Sequence, residues 1–233
     1  MILESITLEN FRSAENEHIR FDPGVNLLYG NNAEGKTNVL EAIYFFARGR
    51  SFRTARESDL VRFGADGCGI GIAFTRRGEK ETLDYRYFDG TRRRTKNGVK
   101  ITAREALGVF CAVLFCPDHL ALIKRTPGER REFLNAAIAQ ISPAYVAALG
   151  RHKKLLENKN ALLRREDGFD RALMESYNEE LAAVSAEILV ARRAYLARLS
   201  ASAARTVAEI SGGRETVTTE YACDIPAEIS RPE

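Results

Sequence analysis

The segment that most constrains this chain is residues 30–37, Gly-Asn-Asn-Ala-Glu-Gly-Lys-Thr, which fits the pattern G-x-x-x-x-G-K-[ST]. The apolar run 25–29 before it predicts a short buried strand, and residues 38–46 after it predict a helix. Glycines in such a loop let backbone N–H groups turn inward around an anion, and the helix N-terminus adds partial positive charge. The segment therefore predicts a phosphate-binding loop for a nucleoside triphosphate.

Two side chains of this loop have distinct predicted tasks. Lys36 is placed to reach the β- and γ-phosphates of ATP, and the Thr37 hydroxyl is placed to coordinate Mg²⁺. The alternative, a chance glycine turn before a helix, does not account for the strand, the helix and the Lys-Thr pair together. The predicted ATP-binding set in this segment is Gly30, Asn31, Asn32, Ala33, Glu34, Gly35, Lys36, Thr37 and Asn38.

A strand ahead of the loop carries a resemblance to a known family. Residues 2–8 predict a strand that ends in the polar turn Asn10-Phe11-Arg12-Ser13. A strand ending in Asn-Phe-Arg before a phosphate loop resembles the ABC-type heads of the SMC and RecF families. The likeness to RecF continues over essentially the whole chain, in residues 49–54, 96–98, 115–120, 122–124, 127–134 and 155–163.

This resemblance implies an α/β fold: an ABC-type P-loop ATPase head with a basic β-hairpin sheet and an inserted helical arm. It implies an ATP-dependent DNA-binding protein of recombinational repair and replication, with ATP and Mg²⁺ as cofactors. The implied partners are duplex DNA at single-strand gaps, a second copy in an ATP-driven dimer, and the RecR and RecO proteins. It also implies that Arg12 lies near the nucleotide phosphates and that Arg53 lies beside the site.

Positive charge is concentrated in one part of the chain. The net charge is only +3, yet residues 76–104 hold ten Lys/Arg against four Asp/Glu. Asp89-Gly90 and Asn97-Gly98 are hairpin-turn signals, so the window predicts antiparallel strands. A charged sheet edge that resists aggregation would look the same. The resemblance favours DNA contacts, predicted at Arg92, Arg93, Arg94 and Lys96.

The apolar run 110–116 predicts a central strand buried on both faces, and Pro117-Asp118 follows it. An apolar strand followed by Asp resembles the Walker B element, but the proline and the position in an ABC-type head argue against that role. We therefore retain Asp118 only as a candidate contact to Mg²⁺ or its water.

Residues 127–210 predict helices. Pro127 and Ser142-Pro143 are helix-start signals. Leucines recur every seven residues at 149, 156 and 163, joined by Leu155 and Leu162. A break at Asp167-Gly168 suggests an antiparallel helical arm. The predicted domains are an ATPase lobe with the β-hairpin subdomain at 1–125, the helical arm at 126–211, and a returning strand within 212–233.

Ser211-Gly212-Gly213 looks like an ABC signature motif, which would have to open a helix to meet a phosphate. Here it follows a helix and precedes the β-branched run 215–221, so it predicts a glycine cap and then a strand. An Asp-Asp or Asp-Glu strand and a Ser-x-Gly-Gln helix start do not follow. We therefore expect a fragment that lacks the catalytic half of the ATPase and does not hydrolyse ATP.

Other classes fit the residues less well. A P-loop kinase or GTPase would share the loop but needs an acceptor or guanine motif, and a DNA-binding module without ATPase function would not need Lys36-Thr37. An ABC-type head from another DNA-repair or phage-defence system is the main alternative.

The four cysteines form no metal-like pattern and predict free thiols. Together with the absence of an apolar leader, free thiols predict a cytoplasmic protein.

Overall fold

The computed structural model describes residues 1–120, 122, 126–164 and 170–223, without the side chains of residues 118 and 120. The chain divides into two compact units, Met1–Lys124 and Arg125–Glu233. Among the helices in these ranges, none combines the length and the apolar composition needed to cross a membrane.

The first unit is built on one six-stranded antiparallel sheet with the order β2-β1-β3-β4-β5-β6. The strands are β1 (Ile2–Phe11), β2 (Ala14–Arg20), β3 (Gly67–Arg76), β4 (Glu79–Phe88), β5 (Thr91–Lys96) and β6 (Val99–Ile101). Together with the helices below, this sheet confirms the predicted α/β class.

Both predicted hairpin turns are present. Asp89 and Gly90 join β4 to β5 with φ values of 44° and 74°, and Asn97 and Gly98 join β5 to β6 with 49° and 78°. Two successive positive φ values match the right-handed twist of the flanking strands, and Asn, Asp and Gly tolerate them best. Local turn chemistry therefore places the arginines of β5 in the sheet.

One long helix, α1 (Lys36–Arg48), packs on the inner face of the sheet. Its apolar side buries Val39, Ala42, Phe45 and Phe46, and the Phe45 ring lies 4.6 Å from the ring of Tyr85 in β4. The shorter elements of this unit are a 3₁₀ turn (Glu57–Leu60), α2 (Ala103–Ala106) and α3 (Pro117–Leu120). Packing against the sheet fixes where α1 begins, and so where the phosphate loop lies.

Two strands predicted for the first unit do not form. Residues 25–29 and 111–116 have no regular secondary structure, and Val25, Val113 and Phe115 are 97%, 98% and 74% exposed. A strand exists only where a neighbour supplies its backbone hydrogen bonds, and the described residues supply none for these segments. The prediction that 110–116 is buried on both faces is therefore wrong here, although Phe110 itself is buried.

The second unit is helical. Its helices are α4 (Pro127–Ala139), α5 (Pro143–Leu163) and α6 (Arg171–Ser211). Thr126 and Ser142 cap α4 and α5, each followed by a proline at the first helical position, as predicted. Side-chain contacts join 151 to 187 and 159 to 178, so α5 and α6 run antiparallel. The predicted break at 167–168 lies outside the described residues.

The predicted leucine pattern matches part of the buried side of α5, since Leu162 is buried and Leu149 and Leu155 pack against the core of this unit. Leu156 and Leu163 are 42% and 52% exposed, whereas Tyr145 and Ala148 are buried against Val184 of α6. Apolar residues spaced three or four apart can form two or three neighbouring stripes along a helix. The position of the partner helix decides which stripe is buried.

The end of α6 confirms the predicted glycine cap. Gly212 has a φ of 63°, and the Gly213 N–H donates to the Ala208 carbonyl at 2.7 Å. Ser211-Gly212-Gly213 therefore closes a helix and does not open one. The strand predicted at 215–221 is absent, and residues 224–233 lie outside the described ranges.

Candidate functional site

The loop at residues 30–37 leads directly into α1. Gly35 is the residue before the helix, with a φ of 91° that favours glycine, and it has no side chain with which to cap the first turn. The N–H groups of Asn38 and Val39 donate to the Gly35 carbonyl at 2.8 and 3.2 Å, whereas those of Lys36 and Thr37 precede the first hydrogen bonds of the helix. A phosphate placed there would meet N–H donors and the positive end of the helix dipole.

Lys36 points into the loop. Its ammonium donates to the carbonyl oxygens of Gly30 at 2.9 Å and Asn31 at 2.5 Å, which leaves one of its three N–H groups for a ligand. Thr37 is exposed at the start of α1, where its hydroxyl is accessible to a cation. These groups fit a nucleotide phosphate with Mg²⁺: Lys36 would hold the phosphate, and Thr37 would hold the cation.

The carboxylate of Glu34 folds back over the same loop. It accepts hydrogen bonds from the backbone N–H of Asn31 at 2.7 Å and from the Asn31 side-chain amide at 2.8 Å. These bonds, the side-chain one first, together with the positive charge of Lys36, lower the pKa of Glu34. The Glu34 carboxylate thus already accepts from the Asn31 N–H, a donor that an anionic ligand would use.

The Arg12 side chain contacts a carboxylate of α1 and not the loop of residues 30–37. It comes from the turn after β1, has a φ of 57°, and its guanidinium binds the buried Glu41 of α1 through two hydrogen bonds of 2.6 and 3.0 Å. A third bond runs to the Asp59 carbonyl at 2.7 Å. Arg53 reaches both Glu41 at 3.0 Å and Asn38 at 2.9 Å. The predicted neighbours of the phosphates therefore meet at Glu41.

The two cavities beside α1 share residues of this set. One, of about 430 Å³, is lined by Glu34, Gly35 and Lys36 with Ser13 and Asn38. The other, of about 650 Å³, is lined by Arg12, Ser13 and Asn38 with the segment 59–63. The Asn38 amide donates to the Ser13 hydroxyl at 2.9 Å, between the two. The phosphate loop and the Arg12 turn thus border two cavities that share Ser13 and Asn38.

Glu41 and Ser51 were not singled out from the sequence. The sequence indicated Glu41 only weakly. It lies three residues after Asn38 and so on the same side of the helix, but a solvent-exposed glutamate can have the same spacing. Only the folded chain brings Arg12, Ser51 and Arg53 to this carboxylate.

The four basic residues predicted to contact DNA all lie on β5, but on two faces. Arg92 and Arg94 pair with Glu57, and Lys96 pairs with Glu81 at 3.0 Å. Arg94 also lies 4.8 Å from the centre of the Tyr85 ring. Arg93 points to the other face and is exposed, with no ion pair among the described residues. Sequence alone did not show that Arg92, Arg94 and Lys96 form ion pairs. It also did not single out Arg93, which has none among the described residues.

The last predicted site residue gives no geometry. Asp118 lies in α3, but its side chain is outside the described part of the chain. Within the described residues no group of three or more His, Cys, Asp or Glu side chains is arranged to hold a metal ion.

A phosphate loop that opens a helix packed on an antiparallel sheet defines a P-loop nucleotide-binding ATPase head. The chain belongs to the AAA ATPase domain family, whose profile matches residues 1–185.

More specific likenesses extend along nearly the whole chain. It is 35% identical to the DNA replication and repair protein RecF of Ruminiclostridium cellulolyticum, over 96% of this chain and 61% of that protein. It is 38% identical to the RecF of Symbiobacterium thermophilum, over 95% of this chain and 59% of that one. The resemblance to RecF is thus shown, and the chain spans about 60% of the length of these relatives.

A solved structure supports the same likeness. The structure described as the recombination mediator protein RecF-ATP in the RecFOR pathway is 35% identical, with a TM-score of 0.86 over 91% of this chain and 58% of that one. The fold of about 58% of that RecF structure is therefore shared by this chain.

Proposed function

We propose that this chain binds ATP together with Mg²⁺ at residues 30–37. The observation that carries this proposal is the uncapped N-terminus of α1 with the Lys36 ammonium turned into the loop before it. Backbone N–H groups, a helix dipole and a lysine converge on one point, which is the arrangement that binds nucleotide phosphates. The likeness to a structure described as RecF-ATP supports the same ligand.

We further propose that the chain is the phosphate-loop part of a DNA-repair ATPase of the RecF kind. In that role it would bind duplex DNA at single-strand gaps in the cytoplasm, as an ATP-driven dimer with RecR and RecO as partners. The names of the similar proteins and the basic strand β5 support this proposal. Arg92, Arg93, Arg94 and Lys96 are the proposed DNA contacts, by charge attraction to phosphates without reading of bases.

Arg12 is proposed as part of the ATP site through its position beside Ser13 and Asn38. Its side chain is 18% exposed and already makes three hydrogen bonds, two to Glu41 and one to the Asp59 carbonyl, so its contribution would be charge more than a direct contact. A positive group in a partly buried place attracts phosphates without touching them, because screening by water is weaker there.

The ATP proposal is tested by Lys36→Ala, measured by calorimetry with ATP and Mg²⁺. Losing the ammonium removes a charge-assisted contact worth roughly 1.5–3 kcal/mol, so affinity should fall more than tenfold. Lys80→Ala is the matched control, since Lys80 is an exposed lysine of β4. Equal ATP affinity in Lys36→Ala and Lys80→Ala would contradict the assignment.

A further inference from the structure

The carboxylate of Glu41 is the most heavily bonded side chain beside the phosphate loop. It is fully buried, yet it lies on α1 only five residues after Lys36. One oxygen accepts from Arg12 at 2.6 Å and from the Ser51 hydroxyl at 2.5 Å; the other accepts from Arg12 and Arg53, each at 3.0 Å. A buried carboxylate needs such donors, because leaving it unpaired costs several kcal/mol.

Ser51 and Glu41 together fix the backbone that carries Arg53. The Ser51 hydroxyl donates to Glu41 and accepts from the backbone N–H groups of Arg53 at 2.9 Å and Thr54 at 3.1 Å. Ser51 is itself buried. The segment 51–54 is thus held to α1 at its backbone, and Arg53 has little freedom to leave.

Arg53 is the solvent-facing member of this cluster. Its side chain is 42% exposed, against 18% for Arg12. One of its nitrogens donates to both Glu41 and Asn38, and Asn38 lines the cavity that contains Lys36. Arg53 is thus joined to the lining of that cavity through Asn38.

The charges of the cluster do not cancel. Two guanidinium groups share one carboxylate, so the cluster carries a net positive charge, and the exposed part of it is Arg53. A glutamate that only neutralised a buried arginine would need Arg12 alone. The second arginine makes the cluster a positive group at the edge of a site that already has a helix N-terminus and Lys36.

We propose that Glu41 is a positioning residue of the nucleotide site: with Ser51 it holds Arg53 beside the phosphate loop before any phosphate arrives. This inference rests on the proposed ATP function. It predicts that Glu41 influences phosphate binding through Arg53, because a fixed cation loses less side-chain entropy when an anion binds.

The experiment is a double-mutant cycle on the chain of residues 1–233. Calorimetry gives the affinities of ATP, ADP and adenosine for the unmodified protein, Glu41→Gln, Arg53→Gln and the double variant. Glu41→Gln should weaken ATP about tenfold and adenosine less than twofold, and the ATP effect should disappear when Arg53 is already Gln. Glu81→Gln, at a mostly buried carboxylate of β4, is the control and should leave ATP affinity unchanged.

Glu41→Gln leaves a mostly buried Arg12 without its counter-charge and so could prevent folding. Ser51→Ala then decides, because it removes one bond to Glu41 and releases the Arg53 backbone. It should weaken ATP severalfold, and Ser51→Thr, which keeps the hydroxyl, should recover most of that loss. A purely structural Ser51–Glu41 contact would lower the melting temperature in Ser51→Ala and leave ATP affinity unchanged.

The outcomes separate the two proposals. If the unmodified protein binds ATP and Lys36→Ala does not, the ATP site stands. Unchanged ATP affinity in Glu41→Gln, or an equal loss for ATP and adenosine, would then overturn only the role of Glu41. If the unmodified protein does not bind ATP, both proposals fall.

Discussion

Lys36 and Glu34 form hydrogen bonds with opposite kinds of polar group in the phosphate loop. The Lys36 ammonium donates to two loop carbonyls, and the Glu34 carboxylate accepts from one loop N–H. Gly30 permits this arrangement, because a side chain there would collide with the Glu34 carboxylate. Lys36 would attract an incoming phosphate. Glu34 would repel it and compete with it for the Asn31 N–H.

We therefore expect Glu34→Gln to strengthen ATP binding, by about 3- to 10-fold, or roughly 0.7–1.4 kcal/mol. The substitution removes the negative charge while keeping the shape of the side chain. Titration with a fluorescent ATP analogue measures it, and Glu79→Gln, an exposed acid at the start of β4, removes the same charge as a control. Weaker binding in Glu34→Gln would mean that the carboxylate supports the loop instead of competing with its ligand.

At the scale of elements, the glycines of β3 shape the outer face of the sheet. Gly69 lies in register between Glu9 of β1 and Arg86 of β4. The Arg86 side chain crosses it and forms an ion pair with Glu9. A side chain at Gly69 would meet the Arg86 guanidinium, so the missing Cβ makes room for a link between strands that are not neighbours.

Gly67, at the start of β3, faces mainly backbone atoms of β4, together with the ring of Phe88. A Cβ there would fall on the Tyr87 carbonyl oxygen and lie 3.2 Å from the Phe88 Cα. Gly67→Ala should therefore destabilise the protein by roughly 1–3 kcal/mol, because the strand backbone must shift. At Gly71 the first obstacle is the Asp84 carboxylate, which can turn away, so Gly71→Ala should cost less. Urea unfolding compares the two variants; a larger loss in Gly71→Ala would contradict this account.

At the scale of the whole molecule, charge is distributed unevenly along the chain. Residues 76–104 carry a surplus of six positive charges, whereas the total is +3, so the rest of the chain is slightly acidic. Within that surplus three of the four proposed DNA contacts already have acidic partners. Attraction to a polyanion therefore depends on the few cations that no carboxylate neutralises.

Arg93→Gln should weaken duplex DNA binding equally for all sequences and reduce the slope of log K against log salt by up to about 0.9. Lys96→Gln should change the slope less, because it also releases Glu81 from its ion pair. Fluorescence anisotropy over a range of salt concentrations measures both. If neither variant, nor the combined neutralisation of Arg92, Arg93, Arg94 and Lys96, alters the slope, β5 is a charged sheet edge and not a DNA contact.

Short-range patterns determined much of this protein. The helix after the predicted phosphate loop, the turns at 89–90 and 97–98, the prolines that open α4 and α5, and the glycine cap after α6 were all predicted from sequence, and each of these elements is present in the structure. Such features need only the hydrogen bonds and dihedral preferences of a few consecutive residues, so no distant part of the chain is required to specify them.

Only the tertiary structure decided the features that depend on distant residues. Residues 25–29 and 111–116 have the composition of strands, but strand formation requires a paired neighbour, and composition does not reveal whether one is present. Glu41 looks like any helical glutamate, yet it is buried because Arg12 and Arg53 arrive from other segments. The sequence therefore specified the loop before α1, and folding specified the charges around it, because ion pairs form between residues that only the packed chain brings together.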